Sequence, residues 1–361
     1  MLRPDALSGS QLMGRASRRK GADVAAWFNG RARRVTPARI EAFRRAMPNA
    51  TVYAATSLEE ARADVKRLVK ARPRLVFCGG GDGTGVVLMN LLRDEGVTEF
   101  PTLGLFKLGT GNGWPSAVGA FGYTRTLSII GSLPKELPTQ RFDLVETEGK
   151  LSLFAGVGWD ATLVHHYHSN LAEARQTPIA GPIAGKLNEG VGGYLFSLFT
   201  RTVPSEISQL VFKGRTKVTV EDLGGDALTL VKGEVVRAQT GKVLYQGPVS
   251  VGAAATEPYW GAKFKAFPFA RRVPGRINFR VYDRPVFEGV ANMVNLWRGS
   301  KVAGMHDFFV TALRITLSRP MPFQIGGDVI GLREQMDFKV ADESVDVLDW
   351  AAIARRERDS S

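Results

Sequence analysis

The stretch RLVFCGGGDGTGVVLMN, Arg74 to Asn90, decides how the rest of the chain is read. Leu75 to Cys78 is a short apolar run of strand formers, and Val86 to Leu92 reads as the first turns of a helix. Between them Gly79, Gly80, Gly81, Asp82, Gly83, Thr84 and Gly85 form a turn that leaves backbone N–H groups bare, and glycines let phosphate oxygens approach them. The pattern predicts a phosphate cradle. It is not a Walker A loop, because no Gly-Lys pair is followed by Ser or Thr, and no G-x-G-x-x-G spacing fits. Asp82 would repel a triphosphate unless a cation or a proton lay between them, which points to Mg²⁺. Thr84 adds a hydroxyl donor.

Working outward, Val24 to Phe28 is a strand, followed by the turn Asn29, Gly30, Arg31 and by a helix opened by Pro37, in which Ile40, Phe43 and Met47 share a face. Thr51 to Ala55 is a second strand, with Thr56 at its exit. Ser57 and Glu60 form a capping box for a helix reaching about Ala71. Beyond the glycine loop, Thr102 to Phe106 is a fourth strand, running into Leu108, Gly109, Thr110, Gly111, Asn112 and Gly113. Alternating strands and helices predict a mainly parallel sheet that binds ligands at the carboxyl ends of its strands. Asn29, Thr56, the Asp82 loop and the Thr110 loop then fall along one edge.

After about Pro138 the texture becomes alternating, at Phe142 to Val145, Leu151 to Phe154, Lys217 to Val220, Leu228 to Val236, Val243 to Tyr245 and Ile277 to Tyr282, with hairpin turns at Leu223 to Gly225 and Gly241 to Lys242. The fold class is therefore α/β plus all-β. We divide the chain into a disordered basic arm at 1–20, a nucleotide-binding domain at 21–137, a β-rich domain at 138–345 and a C-terminal helix at 346–361. A Gly/Pro-punctuated segment between Pro178 and Pro204 holds Tyr194, Leu195, Phe196, Leu198 and Phe199, too few apolar residues to span a bilayer. His165, His166 and His168 lack the neighbouring ligands of a metal site. No G-x-S-x-G elbow marks a hydrolase.

The chain has 361 residues and a net charge of +13. The charge is uneven: residues 1–75 hold 17 Lys and Arg against 6 Asp and Glu, an excess of +11. Such a face suits an anionic membrane, where each basic residue adds up to about 1 kcal/mol. Aromatic residues do not interleave with these charges, so nucleic acid is not the expected partner. One cysteine, Cys78, excludes a disulfide framework and suits a reducing cytoplasm. There is no continuous apolar run for an export signal or a spanning helix.

The elements GGGDGTG at 79–85, LGLFKLGTGNGW at 103–114, FAGVGWDA at 154–161 and FQIGGD at 323–328 resemble the diacylglycerol kinase catalytic family, in particular its bacterial soluble lipid kinases, with sphingosine and ceramide kinases as relatives. The GGDGT element alone is shared with the NAD kinases. The resemblance implies an N-terminal α/β nucleotide-binding domain, a C-terminal β-sandwich, and ATP and Mg²⁺ in the cleft between them. It implies a lipid substrate of diacylglycerol-like or sphingoid type, and work at the inner face of the cytoplasmic membrane. By position, Thr56, Gly81, Asp82, Gly83, Thr84 and Thr110 match its nucleotide-binding residues. Asn29, Gly80, Gly109, Gly111 and Asn112, at the same edge of the sheet, are expected to bind the nucleotide with them. Asp328 matches its catalytic base, with Asp82 the next candidate.

Several positions depart from the family's pattern. Val86 and Val87 stand for Asn-Glu, Lys107 for proline and Gly113 for aspartate. Gly326, Gly327 and Asp328 stand for Asp-Gly-Glu. Pro274 and Gly275 fall where an Asp-Gly serves a structural Mg²⁺ site. The competing readings are an NAD kinase relative and a catalytically weakened nucleotide- or lipid-binding protein.

Overall fold

Val24–Asn29 (β1), Thr51–Ala55 (β2), Leu75–Gly79 (β3) and Thr102–Leu105 (β4) form a parallel sheet in the order β4-β3-β1-β2. These strands come from a computed structural model that describes residues 23–109, 111–176, 197–239, 241–260 and 264–359. The basic arm at 1–20, Thr110 and Tyr194 to Phe196 lie outside the described residues.

Local chemistry fixes the helices between the strands. Thr36 caps Pro37–Ala46 (α1), its hydroxyl accepting from the Arg39 N–H, with Pro37 in the first turn. Ser57 caps Leu58–Ala71 (α2) by accepting from the Glu60 N–H at 3.1 Å. The box closes one residue further back than expected, because the Glu60 carboxylate takes both the N–H and the hydroxyl of Thr56. Asp82–Asp94 (α3), Gly113–Ala117 (α4) and Tyr123–Ile130 (α5) complete the layer. Phe28, Phe43, Phe77 and Phe106 pack together in its core, with centroids 5.4–6.1 Å apart.

The sheet-rich half runs from Thr139–Thr147 (β5), Lys150–Ser152 (β6) and Phe154–Gly158 (β7) through Trp159–Gln176 (α6), a π-turn at Leu198–Thr202 and Val203–Lys213 (α7). It continues with Lys217–Asp222 (β8), Leu228–Val231 (β9), Glu234–Arg237 (β10), Val243–Pro248 (β11), Val251–Ala255 (β12) and Ile277–Tyr282 (β13). The single stretch expected over Leu228 to Val236 is a hairpin: Lys232 and Gly233 have φ of 49° and 90°, the geometry of a primed turn. Val286–Ala291 (α8) and Met293–Arg298 (α9) lead to Met305–Val310 (β14), Ala312–Ile325 (β15), Asp328–Leu348 (β16) and Trp350–Asp359 (α10).

Two long strands organise this half. Leu313 to Leu317 of β15 pair with β8, and Phe323 to Ile325 of the same strand pair with β7, so β15 serves both faces around a core that includes Val157, Val220, Phe279, Phe323 and Phe338. β16 returns to the first domain: Val347 pairs in parallel with Leu103 of β4, and Val347, Leu348 and Trp350 are buried in the first core. The boundary expected at 345/346 therefore falls inside a strand. Asn90 of α3 adds a second tie, giving and receiving a 2.9 Å hydrogen bond with the Leu151 backbone of β6. Among the described residues no helix is long and apolar enough to cross a membrane.

Candidate functional site

The two glycine loops meet backbone to backbone. β3 ends at Gly79, β4 at Leu105, and the Leu108 N–H donates to the Gly80 carbonyl at 3.1 Å. A Cβ on Gly109 would stand 2.2 Å from the Gly81 Cα, and one on Gly81 would stand 2.8 Å from the Gly109 Cα. Only glycine permits that approach. Asn112, at φ 48°, closes the second loop by accepting from the Gly109 N–H at 2.9 Å and donating to the Gly109 carbonyl at 2.7 Å. Gly80 is buried against the Thr84 side chain, and Gly111 lies between the residues of this clip.

Asp82 differs from the expectation that its carboxylate faces phosphate through Mg²⁺. Its two oxygens accept from the Gly113 N–H at 3.0 Å and the Trp114 N–H at 2.9 Å, so it clamps the start of α4 to the start of α3. Loss of water raises its pKa, and the two N–H donors oppose that rise. Hydrogen bonds to a charged group contribute about 1.5–3 kcal/mol each, so Asp82→Ala is expected to lower unfolding stability by about 2–4 kcal/mol. Denaturant titration of the purified variant measures this, and an unchanged midpoint would refute the clamp.

Next to the loops lies a cavity of about 350 Å³, lined by Asn29, Arg33, Arg34, Gly81, Gly83, Thr84, Val87, Gly109 and Asp328 among others. The Asn29 amide points to the Thr84 hydroxyl at 3.5 Å. Asp328 arrives from the other domain. Gly326 and Gly327, at φ 62° and 95°, form the two-residue turn between β15 and β16, so both glycines serve the turn, and Asp328 follows it at the cavity wall. The structure thus gathers Asn29, Gly81, Gly83, Thr84, Gly109 and Asp328 at one cavity. Gly80, Asp82, Gly111 and Asn112 support its loops from outside the lining. Thr56 is absent from the lining, its hydroxyl held by Glu60.

Sequence reading passed over Arg33 and Arg34, whose signal was their place just after the exit of β1. Val87 puts an exposed apolar side chain on the cavity.

Among the described residues no three His, Cys, Asp or Glu side chains cluster as metal ligands. Gly275, at the position of the family's structural metal site, donates its N–H to Asp143 at 2.9 Å. The glycine cradle and the two arginines fit a nucleotide's phosphates. A resident Mg²⁺ site is not built here, and the cavity fits the ion only as one carried on those phosphates, with Asp328 the carboxylate at hand.

Two buried carboxylates escaped the sequence reading. Asp160, at the start of α6, accepts from the Gln324 amide with one oxygen and has no partner for the other, and burial pushes its pKa up to about 6. It borders a small apolar cavity of about 50 Å³ with Trp260, Phe264, Phe267, Tyr282 and Leu296. Glu257, just after β12, is 2 % exposed. His166 of the histidine run sits 3.0 Å from the Thr202 hydroxyl, a packing role.

Comparison with known proteins agrees with this architecture. Residues 29–138, which run from the last residue of β1 through α5 and hold both glycine loops, match the diacylglycerol kinase catalytic domain family. Over these residues the chain is similar to that catalytic domain, which supports a kinase. A diacylglycerol kinase from Bacillus anthracis strain Sterne superposes with a TM-score of 0.56 at 13% identity, over 93% of this chain and 99% of that one. Two provisionally assigned diacylglycerol kinases of the same strain superpose with TM-scores of 0.59 and 0.60 at 14% and 15% identity, over 94% and 93% of this chain and 99% of each of theirs. At these identities the likeness is one of fold, and it extends over both halves. No curated protein sequence matches the chain.

Proposed function

We propose that the protein is a lipid kinase that moves the γ-phosphoryl group of ATP to a lipid hydroxyl. The observation that carries this reading is the single cavity that both glycine loops, the Asn29–Thr84 pair and Asp328 of the opposite domain line together. Backbone N–H groups of the loops and the Arg33 and Arg34 guanidiniums hold the phosphates, which is most of what phosphoryl transfer asks of a protein. Mg²⁺ carried with the nucleotide supplies further charge neutralisation. As the acceptor oxygen bonds to the γ-phosphorus, the bond from that phosphorus to the bridging oxygen breaks, ADP leaves, and Asp328 takes the acceptor's proton. The lipid half of the reading rests on the family match and on the apolar cavity beside Asp160.

ADP release tests the proposal: it should rise well above background when a lipid extract is added, and stay at background with NAD⁺ instead. The reverse pattern would make the chain an NAD kinase relative, and no stimulation by either would make it a binding protein.

The basic excess of residues 1–75 implies peripheral contact with the anionic inner face of the membrane. Sedimentation with vesicles should show stronger binding as anionic lipid increases and loss of that gain in 1 M salt, where the Debye length falls to about 3 Å. Equal binding to neutral and anionic vesicles at low salt would remove this role from the charge.

A further inference from the structure

Helix α7 carries apolar side chains on both of its faces. On the inner face Val203 packs against Trp159, Leu198 and Val286, and Glu206 and Leu210 line the cleft that α7 shares with the start of α8. Glu206, the one acid of the helix, is held on that side by the Thr162 hydroxyl, which donates to it at 3.4 Å. The outer face consists of Ile207, Val211 and Phe212, which are 40%, 71% and 83% exposed. Phe212 and Val211 are the two most exposed large apolar side chains among the described residues. A surface helix normally turns polar residues to water, and neighbouring apolar residues turned outward mark a surface that meets a partner.

The charges at the end of this face identify the partner. Lys213 is the last residue of α7, Arg215 and Lys217 follow it, and all three are exposed. After Glu206 no acidic residue occurs until Glu221. The face is also fixed in place. Arg319 of β15 donates to the Lys213 carbonyl at 2.8 Å, to the Gly214 carbonyl at 2.6 Å and to the Thr216 hydroxyl at 2.6 Å, which satisfies carbonyls at the helix end and ties α7 to the sheet. Gly214, at φ 66°, turns the chain there into β8, which pairs with β15.

We propose that the outer face of α7 docks into the surface of an anionic membrane, with Ile207, Val211 and Phe212 at the acyl boundary and Lys213, Arg215 and Lys217 among the lipid phosphates. A protein groove would also accept an apolar stripe, but protein interfaces exclude lysine from their centres, whereas a bilayer places phosphates directly above hydrocarbon. The proposal deepens the peripheral membrane contact inferred above and rests on it. It adds an anchor of a different kind: the basic excess of residues 1–75 attracts through charge that salt screens, and α7 adds apolar transfer that salt does not screen.

Sedimentation of the full chain with vesicles of phosphatidylglycerol and phosphatidylcholine tests the proposal. Phe212→Ser should lower the partition coefficient about tenfold, at low salt and in 1 M salt alike, the scale of one buried apolar side chain. Lys213→Gln with Arg215→Gln should lower it about tenfold on anionic vesicles at low salt and leave neutral vesicles unaffected. The substituted side chains are exposed, so these variants should fold as the parent does. Cys78 is buried, so a Phe212→Cys chain can carry an environment-sensitive fluorophore at that position, and its emission should shift to the blue when vesicles are added. Unchanged partition in Phe212→Ser, or a fluorophore that stays in water while the chain binds, would overturn the proposal. A smaller oligomer in Phe212→Ser with vesicle binding intact would also overturn it, by giving the face to a second copy. If the parent binds neither kind of vesicle, the peripheral contact falls with it. Vesicle binding that depends on Phe212, with no lipid-stimulated ADP release, sinks the kinase reading alone.

Discussion

Asp328→Asn is expected to keep ATP affinity within about twofold and to lower kcat by about 10²-fold or more, the scale of a lost general base. A lipid hydroxyl holds its proton tightly at neutral pH and attacks phosphorus well only as that proton leaves. Asp328 is the carboxylate that lines the cavity with Asn29 and Thr84, and its place is set by the two-residue turn of Gly326 and Gly327, so the substitution changes charge and little else. Asp328→Glu, which keeps the carboxylate on a longer side chain, should keep or raise the rate. Steady-state kinetics with a verified lipid decides this: Asp328→Asn turning over at the parent rate would move the proton elsewhere.

Gly109→Ala should act on binding instead. Its methyl group would stand 2.2 Å from the Gly81 Cα and 3.0 Å from the Gly81 nitrogen, and backbone cannot swing aside as a side chain does. The loops must part, and a forced shift of about 1–3 kcal/mol corresponds to a loss of about tenfold to a hundredfold in ATP affinity. Gly122→Ala, where a Cβ meets nothing within 4 Å and φ is −62°, is the control and should bind ATP as the parent does. Unchanged ATP affinity in Gly109→Ala would mean that the paired loops are not the phosphate cradle.

The first domain was legible because its signals are local. Four strand exits carry glycine or small polar residues, caps at Thr36 and Ser57 start the helices where expected, and parallel topology places the exits on one edge. Residue roles were less legible than residue places. Asp82 stands in the loop as expected, but its carboxylate serves N–H groups more than thirty residues away, and Thr56 gives its hydroxyl to Glu60. Both outcomes depend on which donor is nearer in space, and a sequence pattern does not contain that.

The second domain hid more. β15 is interrupted by Pro320 and Pro322, which obscures its alternation, and β16 passes from the second sheet back to Leu103 of the first through pairings distant in sequence. Glu257 reads as an ordinary turn acid before Pro258, and only burial without a partner distinguishes it.

The most direct test of the account is to follow the label from γ-labelled ATP with Mg²⁺, a mixed lipid extract and the parent chain beside Asp328→Asn. The account predicts label in an organic-phase lipid with the parent and about a hundredfold less with the variant. Parent protein that binds ATP yet leaves the organic phase unlabelled would contradict it.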